Sequence, residues 1–312
     1  MAVTNMNKLL VAIDGSDRSI RTVKYLAEMP AFFNKEINLF NVFASIPESY
    51  YDLGREPSSI KITSGLYAWE KEQRGQIEKH MQKCRKILMS SDFNPKHIKI
   101  VVHKRRKGVA RDIIAESKKG YGAVVLRRRG MSNLQGLIMG SIALKLLNGI
   151  SSTSLIFAGR KPCTHRVLIA VDGSDNATRA VDFAGAWLSG FDYKVGLVSV
   201  LRQEIKNGKQ DVSDLSEERE FVDAVEMQCS QNLEQARDRL ISAGIKPSAI
   251  TTEIVRGAQS RAAAIVDVAE RDDFDTIVVG RRGLSRVEQF FAGRVSNKVL
   301  HVGRKHHVWV IN

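Results

Sequence analysis

Cysteine is scarce in this chain of 312 residues, which contains only Cys84, Cys163 and Cys229. The three lie far apart, form no CxxC pair and have no histidine at the spacing of a metal ligand. This pattern excludes a disulfide framework and a cysteine-based metal site, so the sequence predicts ordinary reduced thiols.

Long hydrophobic runs are also missing. No apolar segment approaches the roughly 18 residues that span a bilayer, and the apolar segment near the amino terminus is too short for a signal peptide. With 43% hydrophobic and 26% charged residues, the composition is that of a folded globular protein. We therefore expect a cytoplasmic protein with no membrane partner.

The chain lacks the short motifs of common catalytic sites. It has no GxxxxGKS or GxxxxGKT phosphate loop, no HExxH and no GxSxG. The adjacent carboxylates Asp272 and Asp273 fall in a polar turn before a strand, at the end of the sheet opposite to a ligand cleft. We therefore expect no enzymatic turnover.

Acidic residues are too few to balance the charge of the first half. Residues 1–161 carry a net charge of +15, whereas residues 162–312 carry −1. The basic clusters 104–107 and 127–129 both follow predicted strands and should crowd one end of the first sheet. They could bind a polyanion such as nucleic acid through its phosphates. Alternatively they form a solvated charged surface, because the clusters contain no interleaved aromatic residues of the kind that stack on bases.

The most informative feature that is present is an internal repeat. The segment LLVAIDGSDRSIRTVKYLAEM recurs as VLIAVDGSDNATRAVDFAGAW, at an offset of 158 residues that places Asp14 on Asp172. Further along the chain the offset is 153 residues. The duplication predicts two domains, residues 1–161 and 162–312.

Each copy alternates apolar strands with amphipathic helices. The expected strands are 9–13, 37–43, 98–102, 123–126 and 155–158 in the first copy, and 167–171, 194–201, 250–255, 276–279 and 308–311 in the second. In the first copy Ser16 or Asp17 is expected to cap the first helix, and the long second helix is expected at 66–90. Fully apolar strands joined by helices predict an α/β fold: two tandem doubly wound, Rossmann-like domains, each a five-stranded parallel sheet with helices on both faces.

In such sheets ligands bind at the carboxyl ends of the strands. Asp14 and Asp172 end the first strand of each copy, and a glycine-rich segment follows the fourth strand, with Gly280, Gly283 and Gly293 in the second copy. Glycines and the helix start behind them let backbone N–H groups approach a phosphate. The same spacing also suits a plain tight turn. If the first and fourth strands are neighbours, the aspartate and the glycine segment line one cleft.

Taken together, the DGSD segments and the G-x-x-G, nine residues, G pattern resemble the universal stress protein family, over almost the whole chain twice. The resemblance implies a tandem member, whose two copies form within one chain the arrangement that single-domain members make as a dimer. Members with the complete motif bind ATP or related adenine nucleotides, and others bind none. Most have no established turnover and act in stress responses through partners.

In the second copy the resemblance implies that Asp172 lies at the adenine and ribose end and that Val200 lies near the base. It places the phosphates, with Mg²⁺ as a candidate counter-ion, among Gly280, Gly283, Gly293 and Ser296. Arg294 departs from the family, which usually has Ser or Thr there, and it could clamp a phosphate or occupy its place. Asp172 could instead be a helix N-cap, and Ser296 could merely belong to a first helical turn.

In the first copy the matching residues are Asp14, Gly130, Gly140 and Ser141. Asp14, like its counterpart, could be an N-cap. However, Arg127 stands where the second copy has Gly280, and Lys104 stands where it has Gly257. An arginine at a position where backbone should approach the ligand predicts weak or absent ATP binding in this copy.

The sequence thus predicts a cytoplasmic, non-enzymatic stress protein that binds an adenine nucleotide, ATP first, mainly in its second domain. Slow hydrolysis of the bound ATP is left open, because arginines near the phosphates would stabilise charge but no candidate base or metal ligand stands out. Binding would change the surface offered to a protein partner, and further dimerisation of the chain is open. Two alternatives stand beside it. One is a ligand-free scaffold with both sites degenerate, and the other is a polyanion-binding protein that uses the basic first domain.

Overall fold

The computed structural model describes residues 5–43, 60–128, 139–202, 214–281 and 294–312. The chain divides into two compact units. The first comprises Met1–Glu28 and Phe32–Thr153, and the second comprises Met29–Ala31 and Ser154–Asn312. Each has its own apolar core. None of the helices in the described part has the length and hydropathy needed to cross a membrane.

The first unit contains a parallel sheet of four strands with the order β3-β2-β1-β4. Its elements are β1 Asn5–Ala12, α1 Ile20–Glu28, β2 Glu36–Phe43, α2 Ile60–Met89, β3 Ile98–Lys104, α3 Val109–Ser117, β4 Tyr121–Arg127 and α4 Ser141–Gly149. β4 has apolar, buried side chains along most of its length, and β1 is buried at Leu9, Leu10 and Val11, because helices cover both faces of such a sheet.

The second unit contains six strands with the order β5-β10-β9-β6-β7-β8. Its elements are β5 Ser154–Ala158, β6 Arg166–Ala170, α5 Asp175–Leu188, β7 Lys194–Arg202, α6 Asp214–Ser242, β8 Ile250–Ala258, α7 Arg261–Arg271, β9 Thr276–Gly280, α8 Arg294–Val302 and β10 His307–Ile311. The β6–β7, β7–β8, β6–β9 and β9–β10 pairs are parallel, and the β5–β10 pair is antiparallel.

The predicted α/β architecture with mostly parallel strands is therefore confirmed. One pairing was not foreseen: β5 pairs antiparallel with β10 and groups with the second unit. Local sequence could not show this, because both strands are short apolar runs that fit either direction. The domain limits 1–161 and 162–312 stay a prediction.

Two helix starts also differ from the expected ones. α2 begins at Ile60 rather than near residue 66, and α1 begins only at Ile20, so neither Ser16 nor Asp17 caps it as predicted. The turn before α1 is closed by bonds three residues apart, such as Ser19 N–H to the Ser16 carbonyl. In the second copy, by contrast, Ser174 caps α5 by accepting the Ala177 N–H.

The strand order decides where a ligand could lie. β1 pairs with β4 in the first unit, and β6 pairs with β9 in the second, both in parallel. The carboxyl ends of these strands therefore meet at one edge of each sheet. This confirms the condition under which each aspartate and its glycine segment share a cleft.

Candidate functional site

A small cavity lies at the carboxyl ends of β6, β7 and β9, and we call it the second-unit cleft. Its volume is about 60 Å³. Four of the predicted ligand-binding residues line it together, Asp172, Val200, Gly280 and Ser296. The structure thus brings together residues that are more than 120 positions apart in sequence.

Asp172 is held in place by the start of α5. Its Oδ1 accepts the Ser174 backbone N–H at 3.1 Å and the Ser174 hydroxyl at 2.6 Å. The same Ser174 hydroxyl oxygen accepts the Ala177 N–H and is the N-cap of the helix. The interpretation of Asp172 as an N-cap was therefore wrong, since Ser174 has that role and Asp172 orients it.

Gly280 is required by packing within the protein. A Cβ at this position would meet the Asn176 carbonyl carbon and oxygen at 2.7 Å. Only glycine lets the end of β9 approach the first turn of α5 this closely. This role comes in addition to the predicted approach of a phosphate and does not depend on a ligand.

Ser296 lies in α8 and is almost fully buried. Its hydroxyl donates a hydrogen bond to the Arg281 carbonyl oxygen at 2.9 Å. The side chain therefore fixes the chain directly after β9 to α8. In this conformation the hydroxyl proton points at a carbonyl and not into the cleft.

Sequence reasoning missed Arg261, the first residue of α7, which lines the second-unit cleft. Its Nε donates to the Val200 carbonyl at 3.4 Å, the long limit of a hydrogen bond. The side chain therefore lies over the strand end where the base was expected. No local signal identifies it, because a basic residue at a helix start usually faces solvent.

Several predicted residues lie outside the described part of the chain. Gly130, Gly283 and Gly293 are among them, and Arg294 is described only as the first residue of α8. Their predicted contacts with phosphates stay predictions. Within the described residues, no group of three or more His, Cys, Asp or Glu side chains is placed to hold a metal ion.

The first unit has a larger cavity at the corresponding strand ends, and we call it the first-unit cleft. Its volume is about 300 Å³, and Asp14, Arg127, Gly140 and Ser141 line it. Asp14 is held as its counterpart is, because its Oδ1 accepts the Ser16 N–H at 3.1 Å and the Ser16 hydroxyl at 2.6 Å. It is not an N-cap, since α1 begins six residues later.

The residue at the end of the fourth strand differs between the two clefts. Arg127 occupies the position of Gly280, and its Nη1 donates to the Arg18 carbonyl at 2.6 Å. Arg18 corresponds to Asn176, whose carbonyl contacts Gly280 in the second unit. An arginine cannot accept such close packing, and α1 correspondingly begins three residues later in the repeat than α5 does.

The basic loop that enters α3 is organised by a buried carboxylate. Lys104, Arg105, Arg106 and Lys107 are all exposed. Asp112 accepts the Arg106 N–H at 2.8 Å and the Lys107 N–H at 3.0 Å. Burial alone would raise the pKa of Asp112, but the backbone N–H groups of residues 106–108 outweigh it and lower that pKa. Polyanion binding by this loop stays a prediction.

Replacing Asp112 with alanine should lower the free energy of unfolding of the first unit by about 1–3 kcal/mol, because backbone donors lose a charged acceptor. The folded-state pKa is depressed, so this stabilisation is present above the unfolded pKa of about 3.9 and is lost as pH falls through the lower folded value. Urea denaturation at pH 7 and under acid conditions measures it. The exposed Asp92→Ala variant is the control, and an equal effect of both substitutions would contradict the assignment.

Comparisons with known proteins agree with this geometry. A model described as the universal stress protein family matches residues 5–157 and again 164–311. A universal stress protein of Mycolicibacterium smegmatis is 26% identical over 180 residues, which are 56% of this chain and 58% of that protein. The universal stress protein YxiE of Bacillus subtilis is 24% identical over 43% of this chain and 90% of its own length. The match therefore spans little more than half of the M. smegmatis protein.

Among solved structures, a universal stress protein from Archaeoglobus fulgidus has the same fold over both halves. Its TM-score is 0.63, and the similarity covers 99% of each chain at 18% sequence identity. At this identity the comparison speaks for the fold alone.

Proposed function

Because the chain belongs to the universal stress protein family, with one family match in each half, we propose that it is a cytoplasmic stress-response protein whose second-unit cleft binds an adenine nucleotide, ATP first. It acts without catalysis, as a regulator whose nucleotide state is read by a protein partner. Mg²⁺ would accompany the phosphates as their counter-ion.

One observation carries the proposal. Asp172, fixed by Ser174, and Gly280, which begins the glycine-rich segment, meet at neighbouring parallel strand ends in a single cleft. A rigidly held carboxylate suits the hydroxyl groups of a ribose, because a charged acceptor strengthens each hydrogen bond. A segment rich in glycine that leads into a helix suits the phosphates.

The cleft must widen to admit a nucleotide, since its volume is now about 60 Å³. Arg261 is the group that moves, because its side chain is exposed and its bond to the Val200 carbonyl is long. Displacing it costs one weak hydrogen bond, about 0.5–1.5 kcal/mol. This movement would link binding to a change at the surface around α7.

Calorimetric titration of the intact chain with ATP, ADP and AMP tests the proposal, after mass spectrometry for a co-purified nucleotide. We expect one site per chain. Asp172→Asn keeps Oδ1 as an acceptor for Ser174 but removes the charge, so ATP should bind about 10- to 100-fold more weakly. Asp14→Asn, the matched change in the first unit, should leave the affinity unaltered.

Two results would contradict the proposal. An equal loss in both variants would place the site elsewhere. No heat of binding at millimolar nucleotide, together with a melting temperature that nucleotide does not change, would favour the ligand-free scaffold.

A further inference from the structure

We propose that the first-unit cleft is a separate binding site for a planar, mostly apolar organic acid that carries a ring N–H or O–H donor. The proposal is independent of nucleotide binding in the second unit. It rests on the size and lining of the cleft, on two buried polar atoms that have no hydrogen-bond partner within the described part of the chain, and on the charge at the cleft mouth.

The cleft is roomy and its walls are apolar. Its volume of about 300 Å³ is five times that of the second-unit cleft and falls at the lower end for small-molecule sites, about 300–1,000 Å³. Phe40, Ile113, Leu126 and Leu146 are buried and line it. Such walls favour a flat hydrocarbon or heteroaromatic body.

Two polar side chains interrupt these walls. Thr22 is 0% exposed and Asn41 is 3% exposed, and both line the cleft. Among the described residues, neither the Thr22 hydroxyl nor Asn41 Oδ1 has a hydrogen-bond partner. The Asn41 orientation is fixed, because Nδ2 donates to the Ile13 carbonyl at 2.8 Å, and Oδ1 is left as an acceptor. A buried acceptor without a donor destabilises the protein, and a ligand N–H or O–H would recover that loss.

The repeat shows that these groups are particular to the first unit. Thr22 corresponds to Ala180, and Asn41 corresponds to Ser199. Neither position is needed in this form by the shared fold, since the second unit folds with smaller side chains there. The polar pair therefore distinguishes the chemistry of the two clefts.

The mouth of the cleft is cationic. Arg127 lines it, and the loop of four exposed basic residues, Lys104–Lys107, leads into Val109, which lines it as well. One carboxylate, Asp14, is also present, with Oδ1 bonded to Ser16. The local excess of positive charge favours a ligand with an anionic group directed outward. An arginine in the position of Gly280 removes the close backbone approach that a chain of phosphates would use.

Three probes separate the parts of this proposal by calorimetry on the full chain. Indole-3-acetate has the ring N–H and the carboxylate, 1-methylindole-3-acetate lacks the N–H, and 3-methylindole lacks the carboxylate. We expect indole-3-acetate to bind once per chain. N-methylation should weaken binding about tenfold, the value of one hydrogen bond of about 1.4 kcal/mol. Loss of the carboxylate should weaken it several-fold and remove most of its salt dependence.

The double variant Thr22→Ala, Asn41→Ser installs the residues of the second unit. It should bind indole-3-acetate and its N-methyl analogue with equal affinity, while circular dichroism checks the fold. Asp172→Asn, which impairs the nucleotide site, should bind all three probes as the wild type does. With these two variants, a failure of the nucleotide proposal for the second-unit cleft can be told apart from a failure of the present proposal for the first-unit cleft.

Three results would overturn the inference. One is equal binding of the methylated and unmethylated probes to the wild type, which would mean that Thr22 and Asn41 form hydrogen bonds with water and not with the ligand. Another is displacement of indole-3-acetate by ATP, which would make the first-unit cleft a nucleotide site. The third is the absence of any binding at millimolar indole-3-acetate.

Discussion

Replacing Trp309 with alanine should lower the free energy of unfolding of the second unit by about 3–5 kcal/mol. Trp309 lies on β10, is fully buried, and packs edge-on against Trp187 and Phe183 of α5, with ring centroids 5.8 and 6.1 Å away. Its strand also pairs with β5 on one side and β9 on the other. Alanine would leave a cavity between α5 and the sheet. Because β10 is paired with a strand on each side, its backbone cannot move to fill that cavity.

Trp69→Ala is the matched control for this prediction. Trp69 is 48% exposed on α2, so its removal should change stability by no more than about 0.5 kcal/mol. Urea denaturation followed by circular dichroism measures both variants. A loss below about 1 kcal/mol for Trp309→Ala would mean that the aromatic cluster rearranges to fill the space.

The sequence predicted the elements well wherever hydrophobic periodicity is strong. The strand expected at 37–43 is β2, Glu36–Phe43, and the strand expected at 155–158 is β5, Ser154–Ala158. The repeat predicted the doubly wound architecture, because strands that are apolar throughout need helices on both faces. Asp172 and Gly280 line one cleft because the first and fourth strands of the second copy are neighbours, which was the condition stated for this prediction.

Features that depend on contacts between distant residues could not be predicted. The late start of α1 occurs together with a hydrogen bond from Arg127 to Arg18, 109 positions earlier, and nothing in the DGSD segment itself indicates it. The sequence likewise does not indicate which of the two clefts has the larger volume. One signal was overlooked: Asn41 is a polar residue in the strand 37–43, which was expected to be apolar. It lines the larger cleft together with Thr22.

The two halves therefore differ in how the end of the fourth strand packs against the turn at the start of the first helix. In the second unit a glycine lets the end of β9 contact the first turn of α5, and that turn is a capped α-helix around a narrow cleft. In the first unit Arg127 takes the place of the glycine, its guanidinium bonds to the Arg18 carbonyl, and the turn is looser beside a wide cleft. The identity of the last residue of the fourth strand thus accompanies a change in where the first helix begins and in the volume of the cleft.

This relation predicts a large effect for Gly280→Ala. The added Cβ would meet the Asn176 carbonyl carbon and oxygen at 2.7 Å, and these are backbone atoms that cannot rotate away. We expect the second unit to lose about 1–3 kcal/mol of stability, as in other overpacked sites. The displaced turn carries Ser174, which orients Asp172, so ATP affinity should fall as well.

Gly75→Ala provides the control, because Gly75 lies within α2 and a Cβ there would meet nothing within 4 Å. Alanine in a helix interior should stabilise the first unit by roughly 0.5–1 kcal/mol. Urea denaturation compares the variants, and calorimetry with ATP follows binding. If Gly280→Ala were as stable as the wild type yet bound ATP more weakly, the glycine would serve the ligand rather than the packing of α5 against β9.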